Sequence, residues 1–149
     1  MALFEKNWYT VPWKLVQNKI VRYPGGREID RFRGIFPGAD GGRPEAWVGS
    51  DTRTVNAVEK GDPNDGCAEV ILPDGSKHYL FEAVEADPQA ALGEAHIARN
   101  GTHIGVLVKL LDAEKQLGLQ THPTRAYAKE WFGSDYGKEE SWYVISKRD

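Results

Sequence analysis

Apolar runs interrupted by single polar residues mark two parts of the C-terminal half of the chain as candidate strands. The first part covers residues 107–113 and 117–123, and the second covers residues 137–145. Successive side chains of a strand point to opposite faces of a sheet. The pattern therefore predicts strands with one apolar face and a few polar groups on the other. The polar positions that stand out in these strands are Lys109, Gln120, His122, Lys138 and Glu140.

The rest of the chain alternates short strand-like runs with turn residues. The clearest hairpin joins residues 68–72 to residues 78–83 through residues 73–76, because Asp-Gly between two strand-like runs is a strong hairpin signal. Shorter strands are predicted at residues 19–23, which end at a Pro-Gly-Gly turn, and at residues 46–50. Strands therefore dominate the predicted secondary structure.

Two helices are predicted outside the strands. Asp87 is a good N-cap and Pro88 fits the first helical position, so the first helix is expected to begin there. It is expected to end at Asn100, before a glycine. A second helix is expected after Pro123, with an inner side formed by Ala126, Tyr127 and Trp131. The whole pattern predicts a mainly β fold, a sandwich or jelly roll, with one or two added helices.

Composition is typical of a single-domain globular protein without a nucleic-acid or membrane partner. The 149 residues suit one domain spanning residues 1–149, and the net charge of −3, with both signs mixed, indicates no basic patch for nucleic acid. No apolar run is long enough for a signal peptide or a membrane span, so a cytoplasmic protein is expected. The single cysteine, Cys67, fits a reducing compartment and is expected to pack near a strand.

Gln120 and His122 form the core of a candidate metal site. They are two residues apart, which on a strand places both side chains on one face, about 7 Å apart. A carboxylate from a neighbouring strand, such as Glu140, could complete three ligands of a divalent metal ion and leave a fourth position open for catalysis. Taken alone, a histidine beside proline is more often a structural hydrogen-bonding group, and Lys138 alone is typical of a solvated loop. The remaining histidines are expected at structural or surface positions: His78, His96 and His103.

Three segments together resemble type I mannose-6-phosphate isomerases, a family of cupin-fold sugar-phosphate isomerases. Pro44-Glu-Ala-Trp-Val-Gly-Ser50 is similar to the family's Glu-x-Trp-x-Gly segment. The second resemblance runs from Val108-Lys-Leu-Leu-Asp-Ala113 to Leu117-Gly-Leu-Gln-Thr-His-Pro123, and the third is Gly137-Lys-Glu-Glu-Ser-Trp-Tyr143. The segments follow one another in the family's order across most of the chain.

The resemblance implies a cupin-like jelly-roll barrel, here incomplete, and a zinc cofactor. The implied zinc ligands are Gln120, His122 and Glu140. The implied reaction interconverts mannose 6-phosphate and fructose 6-phosphate, with Lys138, two residues before the ligand glutamate, as the catalytic base. Lys109 and Glu45 match positions that line the sugar site, where Lys109 would meet the substrate phosphate or a hydroxyl group.

Two positions differ from the family pattern, and the chain is short. Gly118 stands where the family usually carries serine, and Gly137 stands where it often carries histidine. Family members continue further and carry a fourth metal ligand downstream. The chain is therefore expected to be an N-terminal fragment with open strand edges, through which copies could pair as a homo-oligomer. The alternative is a non-catalytic cupin-type carbohydrate-binding or regulatory module that keeps the scaffold.

Overall fold

A computed structural model of the chain describes residues 8–55 and 61–148. The chain divides into two compact units, residues 1–113 and residues 114–149. The first described element of the first unit is a 3-10 turn at Trp8–Thr10. The described strands of this unit are β1 (Lys14–Leu15), β2 (Glu45–Val48), β3 (Glu69–Ile71), β4 (Lys77–Tyr79) and β5 (Val108–Leu111). Its helices are α1 (Arg27–Phe32), α2 (Leu80–Ala86), α3 (Pro88–Leu92) and α4 (Glu94–Asn100), and the second unit contains α5 (Arg125–Phe132).

A three-stranded antiparallel sheet in the order β1-β3-β4 contains the predicted hairpin. The turn between β3 and β4 is closed by a hydrogen bond of 2.9 Å from Gly75 N to Leu72 O. The hairpin prediction is confirmed, but its second strand ends at Tyr79 rather than at residue 83. Glu82 Oε2 accepts a hydrogen bond of 2.9 Å from Tyr79 N, which caps the first turn of α2 and stops the strand.

The second sheet is an antiparallel ribbon of β2 and β5, which confirms the strands predicted at residues 46–50 and 107–113. In its register Trp47 lies directly opposite Lys109. Residues opposite one another, and residues two apart on one strand, share a face of a sheet. Glu45, Trp47 and Lys109 therefore lie on the same face of the ribbon.

The strand predicted at residues 19–23 is wrong, because only an isolated bridge from Ile20 to Glu45 forms there. The side chain of Asn18 bonds to the backbone of β2 near this bridge. Its Oδ1 accepts from Trp47 N at 3.0 Å, and its Nδ2 donates to Trp47 O at 2.9 Å. Residues 19–23 are joined to β2 and to the loop before it by single backbone bonds, such as Ile20 N to Glu45 O at 2.7 Å, and not by a strand ladder.

Helix α1 is capped from the other end of the first unit. Oδ2 of Asp112 accepts hydrogen bonds from the backbone N–H groups of Gly26 at 3.0 Å and Glu28 at 2.7 Å. Gly26 has a φ of +109°, and a Cβ there would lie 2.5 Å from the carbonyl oxygen of Arg43, so a side chain is excluded at this position. Asp112 directly follows β5, so these bonds tie α1 to the strand that carries Lys109.

The helix predicted between Pro88 and Asn100 forms as two shorter helices, α3 and α4. Its start is confirmed, since Asp87 Oδ1 accepts a hydrogen bond of 3.1 Å from Ala90 N and Pro88 is the first helical residue. Gly93 interrupts the helix with a φ of +79°, a conformation that ends a helical turn. The predicted end at Asn100 is confirmed.

Helix α5 in the second unit confirms the helix predicted after Pro123, but its predicted inner side is wrong. Ala128 is 1% exposed, whereas Tyr127 and Trp131 are 51% and 63% exposed, and Ala126 is exposed as well. The covered face of this short helix is centred on one alanine. The two aromatic rings therefore stack on each other, with centroids 5.9 Å apart, instead of packing into a core.

Within the part of the chain that the structure describes, no closed barrel forms and residues 117–123 and 137–145 are not strands. A strand needs a neighbouring backbone for its hydrogen-bond ladder. Neither segment joins a described sheet, and residues 142–145 are between 61% and 90% exposed. The described residues form two small sheets and five helices, so they do not clearly support a mainly β fold and do not confirm the predicted incomplete barrel. Pairing of copies through open strand edges stays a prediction.

Cys67 packs in the core of the first unit, in agreement with the sequence. It is 6% exposed, and burial raises the pKa of its thiol, which lowers its reactivity. Among the helices in residues 8–55 and 61–148, none has both the length and the apolar character needed to cross a membrane.

Candidate metal and substrate sites

Glu45 and Lys109 form an ion pair on one face of the β2–β5 ribbon. Lys109 Nζ lies 3.6 Å from Glu45 Oε2, and the two side chains are 19% and 9% exposed. Charges held away from water are costly unless they are paired. The structure thus brings together the two residues for which the family resemblance implies a place at a sugar site.

Trp47 completes this group, although no separate role was predicted for it. Its Nε1–H donates to Glu45 Oε2 at 2.9 Å, and its ring centroid lies 4.9 Å from Lys109 Nζ. The second distance is within the range of a cation–π interaction. The signal in the sequence was the spacing, because residues 45 and 47 of one strand must share a face.

Three predicted site residues meet in the second unit. Glu140 Oε2 lies 3.2 Å from His122 Nε2 and 3.1 Å from Lys138 Nζ. The side chain of Glu140 is 19% exposed, that of His122 is 29% exposed and that of Lys138 is 44% exposed. One carboxylate oxygen therefore contacts both an imidazole and an ammonium group, in a position that a ligand can reach.

The chain brings these side chains together by folding back onto the start of α5. Lys138 N donates a backbone hydrogen bond of 3.1 Å to Pro123 O. Gly137 allows this approach, because a Cβ there would lie 2.8 Å from the same carbonyl oxygen. The returning loop is also held by Arg125, whose Nε donates to Asp135 O at 2.7 Å.

The group contains an imidazole nitrogen and a carboxylate oxygen, which are ordinary zinc ligands. The 3.2 Å between His122 Nε2 and Glu140 Oε2 is the distance of a direct ion-pair or hydrogen-bond contact. Among the described residues, no three His, Cys, Asp or Glu side chains are grouped so that they could hold a metal. Gln120 is exposed two residues before His122 and makes no hydrogen bond to another described residue.

The other histidines contact groups of the first unit. His78 Nδ1 lies 3.6 Å from Glu82 Oε2, and His103 Nδ1 lies 3.6 Å from Asp51 Oδ2. His96 Nε2 lies 2.7 Å from the backbone oxygen of His103. These contacts are typical of structural or surface histidines.

The candidate site residues lie within a stretch that matches one known family. A family model for the catalytic domain of type I phosphomannose isomerase matches residues 39–141. The chain belongs to the type I phosphomannose isomerase family. The resemblance inferred from the three sequence segments is thereby confirmed, and the match includes every residue proposed for the phosphomannose isomerase site.

Three curated phosphomannose isomerases match shorter parts of the chain. The probable mannose-6-phosphate isomerase GmuF of Bacillus subtilis (strain 168) is 46% identical over 50 residues, which are 34% of this chain and 16% of that protein. The mannose-6-phosphate isomerase of Streptococcus mutans serotype c (strain ATCC 700610 / UA159) is 54% identical over 41 residues, 28% of this chain and 13% of that protein. ManA of Bacillus subtilis (strain 168) is 40% identical over 45 residues, 30% of this chain and 14% of that protein. The matched part thus spans less than a fifth of each relative. No solved structure matches the chain significantly.

Replacing Gly137 with alanine is expected to weaken the zinc binding that the family resemblance implies about 10- to 100-fold, the range seen when groups that orient metal ligands are lost. The added Cβ would lie 2.8 Å from Pro123 O and push the returning segment, with Glu140, away from His122. A competition titration with a chelator measures the affinity. Gly42→Ala is the matched control, because a Cβ there meets no atom within 4 Å. Equal affinities in the two variants would contradict this role of Gly137.

Proposed function

We propose that the chain carries the zinc site and part of the substrate site of an enzyme that interconverts mannose 6-phosphate and fructose 6-phosphate. The observation that supports this most strongly is the contact of His122 and Lys138 with one oxygen of Glu140, at 3.2 and 3.1 Å. The residues that would hold zinc are Gln120, His122 and Glu140. Membership of the phosphomannose isomerase family and the names of the three relatives support the same reaction.

The reaction moves one proton between neighbouring carbons while the carbonyl group shifts from one to the other. The chemistry that a bound zinc ion supplies is polarisation of this carbonyl and stabilisation of the oxyanion that develops on it. In our proposal Lys138 acts as the base that removes the proton from one carbon and returns it to the next. Glu140 holds Lys138 next to the metal ligands, at 3.1 Å.

Glu45 and Lys109, in the first unit, would bind the sugar phosphate. An ammonium group has three N–H donors. Lys109 faces Glu45 at 3.6 Å, so its remaining donors are available to oxygens of a phosphate or hydroxyl group. The carboxylate of Glu45 can accept a hydrogen bond from a sugar hydroxyl.

Metal analysis combined with an isomerisation assay tests this proposal. We expect the purified chain to retain zinc, and any longer protein that contains it to convert mannose 6-phosphate to fructose 6-phosphate. Removing zinc with a chelator should abolish turnover, and adding zinc back should restore it. Bound zinc without turnover in both proteins would contradict the isomerase proposal.

The second candidate function is a non-catalytic carbohydrate-binding module, which would bind zinc without any turnover. It is favoured by Gly118, which provides no hydroxyl group where the family usually carries serine. A Cβ at Gly118 would meet no atom within 4 Å, so Gly118→Ser is sterically acceptable. In an isomerase this variant should lower the KM for mannose 6-phosphate at unchanged zinc content. A binding module would show no turnover with either residue.

A further inference from the structure

Trp47 is fixed in the first unit through both its backbone and its ring. It is 5% exposed. Its backbone N–H and C=O are both bonded to the side chain of Asn18, at 3.0 and 2.9 Å. Its ring nitrogen donates to Glu45 Oε2 at 2.9 Å. The indole therefore provides a surface of fixed position beside the ion pair of the ribbon.

Two cationic groups lie against this ring. Lys109 Nζ is 4.9 Å and Arg22 Cζ is 5.7 Å from the ring centroid. The ammonium of Lys109 is also 3.6 Å from the oxygen of Glu45 that the indole N–H contacts. A lysine side chain is long and flexible, and fixing it costs conformational entropy. Here Lys109 is held by the ring of Trp47 and the carboxylate of Glu45, and these two groups are hydrogen-bonded to each other.

We propose that Trp47 is a positioning residue that holds the ammonium of Lys109 and the carboxylate of Glu45 ready for a sugar phosphate. The inference rests on the proposed function, in which those two side chains bind the substrate. Because both groups are already ordered in the free protein, binding costs less entropy than it would for a mobile lysine. Trp47 therefore raises affinity by acting through its two neighbours.

Two substitutions separate the contacts of the indole. Trp47→Phe keeps an aromatic ring beside Lys109 but removes the N–H donor, and Trp47→Leu removes both. By isothermal titration of the full chain, we expect the Kd for mannose 6-phosphate to rise about 3-fold in the first variant and about 10-fold in the second. Where turnover is measured, KM should rise with little change in kcat. Trp131→Phe is the matched control with unchanged Kd, since this tryptophan is 63% exposed in the other unit.

An NMR measurement reports the geometry independently of ligand binding. The methylene protons of Lys109 next to its ammonium should show an upfield ring-current shift in the wild type and in Trp47→Phe, and should lose it in Trp47→Leu. If the wild type binds mannose 6-phosphate and both variants bind it with the same Kd, the positioning role is overturned, whatever happens to their melting temperatures. If the wild type shows the shift but binds no sugar phosphate, the proposed function fails and the inference fails with it.

Discussion

Replacing His122 with alanine is expected to lower the zinc affinity of the chain by more than about 100-fold, because even the loss of a group outside the ligand set costs 10- to 100-fold. His122 supplies the only imidazole of the proposed ligand set, and its Nε2 lies 3.2 Å from Glu140 Oε2. Without it, Gln120 and Glu140 would remain, and two oxygen ligands hold zinc poorly. Zinc content after dialysis, measured by atomic absorption, gives the result directly.

The control for this experiment is His103→Ala. The side chain of His103 is 71% exposed and lies beside Asp51 in the first unit, so zinc content should stay that of the wild type. Thermal unfolding of both variants shows whether either substitution disrupts folding. A folded His122→Ala variant that retains the wild-type zinc content would disprove the proposed metal site.

Replacing Lys138 with methionine is expected to reduce kcat about 100- to 10,000-fold, the usual contribution of a general base. Methionine keeps most of the length of the side chain but cannot carry a proton. Zinc should be retained, because Lys138 contacts Glu140 but is not a proposed ligand. The measurement is steady-state isomerisation of mannose 6-phosphate by the longest protein that contains the chain, together with its zinc content.

Lys129→Met provides the same substitution at a position without a proposed role. Lys129 Nζ lies 3.1 Å from Asp135 Oδ1, and its side chain is 74% exposed, so kcat should be unchanged. Lys138→Arg retains the positive charge but cannot act as a base, and it should be nearly as inactive as the methionine variant. Wild-type kcat in either Lys138 variant would exclude Lys138 as the base.

The parts of the fold that the sequence predicted correctly depend on local signals. The Asp-Gly pair indicated the hairpin, and Asp87 and Pro88 indicated the start of α3. Two strand-like runs indicated the strands β2 and β5. The sequence also indicated that Glu45 and Lys109 lie close together, because the family resemblance assigned both positions to one site. In each case the residues that determine the structure are close together in the chain or belong to a recognised motif.

The predictions that failed concern partners distant in the chain. Whether an apolar run becomes a strand depends on a second backbone beside it, and residues 137–145 have no such partner among the described residues. Asn18 bonds to the backbone of a residue 29 positions away, which no local pattern reveals. Glu140 contacts both Lys138 and His122. The sequence predicted that neighbouring strands would bring such side chains together, whereas a loop that returns to Pro123 does so.

The carboxylate of Asp112 has a consequence for the order in which the chain becomes structured during synthesis. It accepts hydrogen bonds from backbone groups 84 and 86 residues earlier. Proteins leave the ribosome from their N-terminus. The hydrogen bonds from the amides of Gly26 and Glu28, which cap α1, can therefore form only after most of the first unit has been synthesised. We expect nascent chains that stop short of residue 112 to leave α1 frayed and open to proteases.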